Sequence, residues 1–414
     1  MTASPRLLRS GELAAVLPPG GMTLVSLCSA ESDLLAAEVD AAGAALGDMD
    51  FAGIFVPGLN RHDWKAGPAS RVTTFFQTPE LRTRGAAARF LPLCYQDTLA
   101  LIRQEQPRAA LFMCAPPNDA GNCSFGTEVS LIAALWSEIP VRIAHINPAM
   151  PRTPGDPGIP FAELTACYEG AQMLRGMPEA SADPVSARIA ANVAALVPDG
   201  ATLQTGLGKI PDAVLGALAS HRDLRLHTGL AGDGALALVR SGAMAQGASA
   251  LVGVAIGSPQ LYAGLDDPHF QFRPVTVTHD PARLAGIERL VTINSAMAVD
   301  LFGQVYSEAS SRGFQSGPGG ASDYARGARV SPGGLRIVAL PSAAGATSRI
   351  VAPGDAHGPV SLSRFDVDVV VTEHGRADLR GKTYSERAAA LIAIASPDHR
   401  EALSRTWHPI AAQI

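Results

Sequence analysis

The chain has 414 residues, of which 47% are hydrophobic and 17% are charged, and its formal net charge is -5 at pH 7. This composition is typical of a globular protein with room for two or three domains, and it excludes an intrinsically disordered chain. The slightly acidic balance, with no run of Lys or Arg, gives no electrostatic reason to expect a nucleic-acid partner.

The five cysteines are scattered along the first half and lack the C-x-x-C spacing of metal sites and redox motifs. They indicate reduced side chains in a core or pocket, and therefore a cytoplasmic protein. The N-terminus has no continuous apolar segment of the signal-peptide kind, and no run of 18 apolar residues follows. We therefore expect no membrane partner. We also expect no metal ion, because no His, Cys and Glu spacing suggests a metal site.

Apolar runs alternate with helical or loop segments in the first half. Residues 53–58 (GIFVPG) and 109–114 (AALFMC) predict buried parallel strands. Asp33 to Ala45 is rich in Ala and Leu and predicts a helix. The Pro-rich segment from Asn147 to Pro160 predicts a long surface loop or an arm across a domain junction.

A polar, Pro-punctuated segment divides the chain into two predicted domains. We place the boundary near Ser181 to Val185, which gives an N-terminal domain of residues 1–183 and a C-terminal domain of residues 184–414. A faint repeat supports a duplication, because Pro-x-Gly-x-Thr-Leu at 19–24 recurs at 198–203, in each case before a loop and a helix.

The second half begins with a predicted helix from Val185 to Leu196 and continues with alternating strands and helices. Its last predicted helix, Tyr384 to Ile394, is followed by a tail that we expect to be polar. The predicted strands lie in the segments 202–205, 224–228, 250–257, 274–279, 290–300, 335–341 and 367–375.

The stretch from Pro198 to Gly234 organises this half. A short strand reaches a Gly-rich bend at Gly206 and Gly208, which opens a helix near Pro211. The next strand, Leu224 to Thr228, ends at Gly229. Two backbone-exposed loops at adjacent strand ends are where an α/β sheet usually binds its ligand.

Segments in both halves resemble the acetyl-CoA hydrolase/4-hydroxybutyrate CoA-transferase family. The segments that carry the resemblance are FVPGLNR (55–61), APPNDAGNCSFG (115–126), NPAMPRTPGD (147–156), LQTGLGKIPDAVL (203–215), HTGLAGDG (227–234), INSAMAVDLFGQVYSE (293–308), GPGGASDYARGA (317–328), VALPSAAGATSRIV (338–351) and the run 363–400. They cover nearly the whole chain in order. The resemblance implies an α/β fold of two tandem CoA-transferase (NagB/RpiA-like) domains with mainly parallel sheets, and usually a homodimer.

The resemblance also implies a catalytic mechanism whose nucleophilic residue this chain lacks. In the family a glutamate attacks the acyl-CoA to give an acyl anhydride and then a glutamyl-CoA thioester, and that glutamate directly follows a His-Ser/Thr pair. Here the pair is His227 and Thr228, and the next residue is Gly229. A second departure places His279 where the family carries an Asn that helps to bind an oxyanion. We therefore expect altered chemistry, with Gly229 leaving a gap the size of a carboxylate side chain.

Other candidate site residues follow from the same resemblance. Gly317, Gly319 and Gly320 match a family loop whose backbone N–H groups approach the thioester oxygen and the CoA, although a plain surface turn would look the same. Gly206 and Gly208 match a second loop, and Lys209 at the start of a helix is placed to meet a phosphate or carboxylate, or else is simply solvated. Gln304 and Asn294 line the pocket or hold strands together.

His279 has an ordinary pKa near neutrality, so it is a candidate general base that activates water or another acceptor, or merely a hydrogen-bonding loop residue. Asp233, Glu308 and Glu128 are the carboxylates that can replace the lost glutamate, and each is also explained as structural.

Three functional hypotheses follow. The first is an enzyme that binds acyl-CoA as its cofactor-like substrate and transfers the acyl group to water or another small-molecule acceptor without a glutamyl-CoA intermediate. The second is a CoA-transferase between carboxylic acids that uses a relocated carboxylate. The third is a non-catalytic CoA-binding homologue.

Overall fold

The computed structural model describes residues 4–177 and 183–414, which divide into two compact units. The first unit comprises Met1–Pro178 together with Leu251–Thr278, and the second comprises Glu179–Ala250 together with His279–Ile414. The predicted linker from Ser181 to Val185 lies partly outside the described residues. The boundary at 183/184 stays a prediction, and it does not account for the segment 251–278, which lies with the first unit.

The first unit is built on a sheet whose strands all run parallel. From one edge to the other the strands are Arg6–Leu7, Ala166–Glu169, Val141–Ile146, Ala109–Cys114, Gly21–Val25, Met49–Gly53, Arg71–Thr74 and Ala88–Phe90. The strand AALFMC is buried at every position, as its uninterrupted apolar run predicts. All five cysteines belong to this unit as free thiols, and four of them are buried.

The helices of the first unit are short, and three of them have a side-chain N-cap. They are Asp33–Ala42, Pro79–Arg82, Tyr95–Glu105, Ser130–Leu135, Pro259–Ala263 and Val275–Thr278. Ser32 caps the first of them by accepting a hydrogen bond from the backbone N–H of Leu35 at 3.0 Å. A small antiparallel pair, Asn122–Cys123 with Ile159–Pro160, closes the otherwise irregular Pro-rich segment.

The second unit repeats the parallel arrangement. Its strands follow the order Arg225–Ala231, Thr202–Thr205, Leu290–Ser295, Leu335–Ala339, Val369–Thr372 and Gly375–Asp378, of which only the last is antiparallel to its neighbour. Its helices are Pro184–Ala194, Lys209–Ala217, Asp233–Arg240, Pro281–Ala285, Ala321–Val330, Tyr384–Ile394 and Pro397–Ala411. Smaller strands are Ala298–Asp300, Val305–Tyr306, Ile350–Val351 and two hairpins, Ala309–Ser310 with Gly313–Phe314 and Ala343–Ala344 with Thr347–Ser348.

The repeated Pro-x-Gly-x-Thr-Leu motif has the same place in both units. In the first unit it leads into the strand Gly21–Val25, and in the second into Thr202–Thr205. Each of these strands lies between two parallel neighbours, one of which is the next strand of its sheet along the chain. The element order therefore agrees with the duplication that the sequence motif suggests.

Two predictions of secondary structure are wrong. Residues 53–58 were expected to form a strand, but the strand is Met49–Gly53 and residues 54–58 lie beyond its end. Residues 274–279 were expected to form a strand because Val and Thr alternate there, but Val275–Thr278 is a helical turn. Val275 and Thr278 are both buried, so the i, i+3 spacing that a helix brings to one side outweighs the β-propensity of the residues.

The expected polar tail is mainly polar, but it forms a helix of 15 residues, Pro397–Ala411, which was not predicted. Its Trp407 is 7% exposed and packs edge-on against Phe302, with ring centroids 5.5 Å apart. Most residues of the segment are polar and lie on the outer face of the helix. The few apolar residues that pack it against the core are therefore hard to recognise in the sequence.

Candidate active site

His279 lies against two glycines that the sequence singles out. A Cβ placed on Gly229 would be 2.6 Å from Cε1 and 2.9 Å from Nε2 of the His279 ring. A Cβ placed on Gly320 would be 2.4 Å from Nε2 of the same ring. Side-chain carbons essentially never approach other atoms so closely, so the imidazole lies in the space that side chains at positions 229 and 320 would need. Gly229 therefore does not leave an open gap, which corrects the expectation from the sequence.

The local backbone explains how His279 reaches this position. It occupies a bend directly before Asp280, which caps the helix Pro281–Ala285 by accepting a hydrogen bond from the N–H of Arg283 at 2.7 Å. The His279 side chain is turned inward and is 2% exposed. The capped helix start thus fixes the chain on one side of the ring.

Tyr324 forms another wall of this cluster. It is one turn into the helix Ala321–Val330, whose N-cap is Gly320, so its ring lies on the same side as the glycine loop. Its ring centroid is 4.8 Å from that of His279 and 6.4 Å from that of His227. Sequence reasoning missed Tyr324, although its position four residues after Gly320 was a usable signal. We call His227, Gly229, His279, Gly320 and Tyr324 the histidine cluster.

Burial changes the acid–base character of His279. Loss of water around the ring, with a smaller repulsion from nearby His227, lowers the pKa of His279 from its usual 6.5 to about 3. The pKa near neutrality assumed from the sequence is therefore wrong. The ring is neutral at pH 7, so it offers one N–H donor and one acceptor nitrogen but is a weak base.

The glycine loop beside the cluster is shaped for a close backbone approach. Gly317 and Gly319 are buried, and Gly319 has φ +57°, a conformation that favours glycine. Gly320 directly precedes the helix Ala321–Val330. The loop therefore presents backbone, with no side chain from its glycines, next to the imidazole of His279.

The first glycine bend lies at a switch point of the sheet. Two adjacent parallel strands meet here, Thr202–Thr205 and Leu290–Ser295. The next strand after the first lies toward one edge of the sheet, and the next sheet strand after the second lies toward the opposite edge. Gly208 has φ +112° and caps the helix Lys209–Ala217, while a Cβ on either Gly206 or Gly208 would meet open space. The carboxyl ends of strands at such a point are the usual ligand site of an open α/β sheet.

A cavity of about 390 Å³ opens at these strand ends. Its walls include apolar side chains such as Leu207, Ile210 and Pro341, and its cationic groups are Lys209 and Arg349. We call it the strand-end cavity. Lys209 is exposed at the start of its helix. Arg349 was not among the site residues predicted from the sequence.

The two candidate amides are held by neighbours. The side-chain N–H₂ of Gln304 donates to Asp300 at 3.1 Å, and its backbone N–H donates to the same carboxylate at 3.0 Å. Asn294 and Gln204 exchange amide hydrogen bonds of 3.2 and 3.3 Å across adjacent strands. These contacts favour the structural reading of both amides.

The candidate replacement carboxylates differ in environment. Asp233 lies in the first turn of the helix Asp233–Arg240. Glu128 belongs to the first unit, accepts a hydrogen bond from Ser26 at 2.8 Å, and has its pKa raised to about 8 by burial. Glu308 is 3% exposed, accepts from Ser361 at 2.8 Å, and also has its pKa raised by burial. Its Oε2 has no hydrogen-bond partner among the described residues.

Two other kinds of feature are absent from residues 4–177 and 183–414. None of the helices there is both long and apolar enough to cross a lipid bilayer. In the same residues no group of three or more His, Cys, Asp and Glu side chains is arranged to hold a metal ion.

Comparison with known proteins identifies the family. Residues 257–407 match the model of the acetyl-CoA hydrolase/transferase C-terminal domain. The chain is 36% identical over 327 residues to a 4-hydroxybutyrate coenzyme A transferase of Clostridium kluyveri, covering 76% of each protein. It superposes on RipA from Yersinia pestis with a TM-score of 0.88, 28% identity and 98% coverage of both chains. A 4-hydroxybutyrate CoA-transferase from Porphyromonas gingivalis superposes with a TM-score of 0.79 and 30% identity, covering 99% of this chain and 98% of that one. The chain thus belongs to the acetyl-CoA hydrolase/CoA-transferase family, with that family's two-sheet α/β fold.

Proposed function

We propose that this chain is an acyl-CoA-dependent enzyme that transfers the acyl group to water or another small-molecule acceptor without a glutamyl-CoA intermediate. Membership of a family of CoA-transferases and acetyl-CoA hydrolases supports an acyl-CoA substrate. One observation carries the rest: the ring of His279 fills the space beside Gly229, at the position where the family resemblance puts the attacking glutamate.

The histidine cluster suits activation of a carbonyl better than strong-base catalysis. As a thioester is attacked, negative charge develops on its oxygen, and fixed donors at that point lower the barrier. A neutral imidazole donates through one ring nitrogen, and the Gly317–Gly320 loop supplies backbone next to it. In this proposal His279 and the glycine loop hold the thioester oxygen, while the acceptor attacks the carbonyl carbon directly. The bond between that carbon and sulfur then breaks, and the proton that the acceptor loses ends on the released CoA thiol.

Binding of CoA does not depend on the missing glutamate. The nucleotide and diphosphate of CoA lie far from the reacting carbonyl, so their contacts can hold and orient the thioester. Lys209, with Gly206 and Gly208 before it, is our candidate for a phosphate contact at the strand-end cavity. The homodimer expected from the family belongs to the same proposal.

The decisive experiment follows CoA release and covalent labelling together. Purified protein is incubated with a panel of short acyl-CoA thioesters, with and without carboxylate, alcohol and amine acceptors, and free thiol is measured. A parallel sample is treated with borohydride and analysed by peptide mass spectrometry. We expect thiol release with no modified glutamate. A reduced glutamyl adduct at any position contradicts the proposal, and acyl-CoA binding by calorimetry without turnover on the panel leaves only a binding protein.

Glu308 favours a second candidate, a CoA-transferase with a relocated carboxylate. It is a buried carboxyl group with one oxygen that has no partner among the described residues, and such oxygens call for an explanation. Glu308→Gln keeps the size and the contact to Ser361. Loss of CoA exchange between two acids in this variant, with exchange retained in Asp233→Asn and Glu128→Gln, would favour the second candidate.

A further inference from the structure

A small cavity of the second unit lies at the amino ends of the sheet strands. Its volume is about 210 Å³, and it is lined by Arg364, Phe365, Lys382, Thr383, Tyr384 and Arg387. The carbonyl oxygen of Phe365 accepts a hydrogen bond of 2.6 Å from Nη1 of Arg336, near the start of the strand Leu335–Ala339. The strand-end cavity lies at the carboxyl ends of the same sheet, so the two cavities are separate. We call the smaller one the cationic cavity.

The lining of the cationic cavity carries positive charge only. Three cations line it, Arg364, Lys382 and Arg387, and the described residues place no carboxylate in its wall. Within residues 4–177 and 183–414, none of these three side chains forms an ion pair. Three like charges around one small cavity repel one another, and an anion bound between them would relieve that repulsion.

The carboxylates of the flanking segment have other partners. Asp378 forms an ion pair with Arg380 at 2.6 Å. Glu386 accepts hydrogen bonds from the backbone N–H and the hydroxyl of Thr383, each at 2.8 Å. The hydrogen bonds from Arg380 and Thr383 are the main causes of the lowered pKa of these two carboxyl groups, and Lys382 is a smaller cause. The charge of the cavity therefore stays available to a ligand.

Arg364 has unused hydrogen-bond donors. Its Nε donates to the hydroxyl of Tyr384 at 3.1 Å, and its guanidinium carbon is 4.2 Å from the centre of the Phe365 ring. Its two Nη groups have no hydrogen-bond partner among the described residues. Arg387 is half-buried, and its Nε and Nη1 make long hydrogen bonds of 3.4 Å to the carbonyl oxygens of Lys382 and Arg364. A guanidinium with free N–H groups suits the oxygens of a phosphate group.

An exposed aromatic ring borders these cations. Phe365 is 56% exposed, which makes it the most exposed phenylalanine in the described part of the chain. The neighbouring ring of Tyr384 is held by an edge-on contact with Phe302, with centroids 5.2 Å apart. Nucleobases stack on such rings next to cationic side chains. The cavity is smaller than the usual 300–1,000 Å³ or so of a site for a whole drug-sized ligand, so it suits a phosphate and sugar whose base lies outside on the ring.

We infer that the cationic cavity is a second ligand site, which binds a nucleoside monophosphate independently of the acyl transfer proposed above. Arg364, Lys382 and Arg387 hold the phosphate, and the base stacks on Phe365. The helix Tyr384–Ile394 begins at the cavity, so the positive end of its dipole adds to the attraction.

The test is calorimetric titration of AMP, adenosine and inorganic phosphate into the whole chain, with and without saturating CoA. The variants are Phe365→Ala, Lys382→Ala and Arg364→Lys, which keeps the charge but loses the two-pronged geometry. Arg376→Ala is the matched control, because Arg376 is an exposed arginine of the strand Gly375–Asp378 that does not line the cavity. Circular dichroism melts check that each variant folds.

We expect wild type to bind AMP at one site in the presence of saturating CoA, and adenosine much more weakly. Phe365→Ala should weaken AMP binding about five-fold or more through lost stacking, and change phosphate binding less than about two-fold. Lys382→Ala and Arg364→Lys should each weaken the binding of AMP and of phosphate about five-fold or more, since each loses charge-assisted hydrogen bonds. Arg376→Ala should match wild type.

Failure of wild type to bind AMP at millimolar concentration overturns the inference. AMP binding that CoA displaces and that the variants leave unchanged also overturns it, because AMP then occupies the acyl-CoA site. If Phe365→Ala binds AMP as wild type does while Lys382→Ala does not, the cavity holds phosphate alone and the assignment to a nucleotide is wrong. If wild type binds AMP as expected but no CoA, the proposed function fails and the second site stands.

Discussion

The imidazole of His279 fills the space that a side chain at Gly229 would need: a Cβ on the glycine would be 2.6 Å from Cε1 of the ring. The ring is 2% exposed, and Gly320 lies against its Nε2 and Cδ2 atoms, so it has little room to move away. The residue at 229 and the residue at 279 are therefore expected to constrain each other.

Gly229→Ala should destabilise the fold. The added methyl overlaps a buried ring, and overpacking of this kind costs about 1–3 kcal/mol in the free energy of unfolding. Urea denaturation measures the loss. Gly216→Ala is the matched control, because Gly216 is in a helix with open space around it and should be neutral or slightly stabilising. In Gly229→Ala/His279→Ala the two costs should not add, and simple additivity would contradict the shared space.

Gly229→Glu together with His279→Asn should restore a covalent route. The double substitution returns both positions to the residue types of the family resemblance and removes the ring that blocks the new side chain. We expect borohydride trapping to label Glu at position 229 in the double variant, and to label it weakly or not at all in Gly229→Glu alone. Equal labelling of the single and double variants would show that His279 does not block the position.

Burial of neutral His279 should make the protein acid-sensitive. Its pKa falls from 6.5 when unfolded to about 3 when folded, so the unfolded chain binds the extra proton between these pH values. The stability from this group is therefore complete above pH 6.5 and is lost as the pH falls toward 3. Urea unfolding at pH 7, 6, 5 and 4 should show wild type losing stability relative to His279→Asn. Parallel curves for the two proteins would contradict the low pKa.

Glu128 should have the opposite dependence. Burial raises its pKa from 4.5 to about 8, so the folded state holds a proton that the unfolded chain has released. Its contribution is complete below pH 4.5 and is lost as the pH rises through 8. Compared with Glu128→Gln, which keeps a hydrogen-bonding group beside Ser26, wild type should become progressively less stable between these values. The same urea series, extended to pH 9, measures the difference.

Trp407→Ala should loosen the C-terminal helix. The indole is 7% exposed and packs on Phe302, and removal of a buried Trp side chain costs about 3–5 kcal/mol. Arg405→Ala, two residues earlier and exposed, should change the free energy of unfolding by less than about 0.5 kcal/mol. If both variants unfold alike, the terminal helix contributes no core.

Strong local signals made parts of the fold predictable. Residues 109–114 form the expected strand because an uninterrupted apolar run fits only a doubly covered position. The helix Tyr384–Ile394 was predicted to the residue, and Thr383 and Glu386 form a capping box at its start. Residues 274–279 were mispredicted, and the helix at 397–411 was not predicted, because tertiary packing, which a single sequence does not reveal, decided their conformation.

The site was predictable as a set of loops but not as a geometry. The motifs identified Gly229, His279 and Gly320 separately, and nothing in their spacing indicates that one ring touches both glycines. The near-neutral pKa assumed for His279 failed because burial comes from residues distant in sequence, among them Tyr324. Arg349 was missed since a lone arginine in a loop carries no pattern.

The segment Leu251–Thr278 belongs to the first unit although the chain on both sides of it belongs to the second. Backbone hydrogen bonds join it there, from Val129 to Gly253, from Ala255 to Thr127 and from Phe272 to Pro154. A single cut near residue 183 would consequently separate the first unit from a segment that belongs to it. Residues 1–183 expressed alone should therefore lack part of the framework of their own unit.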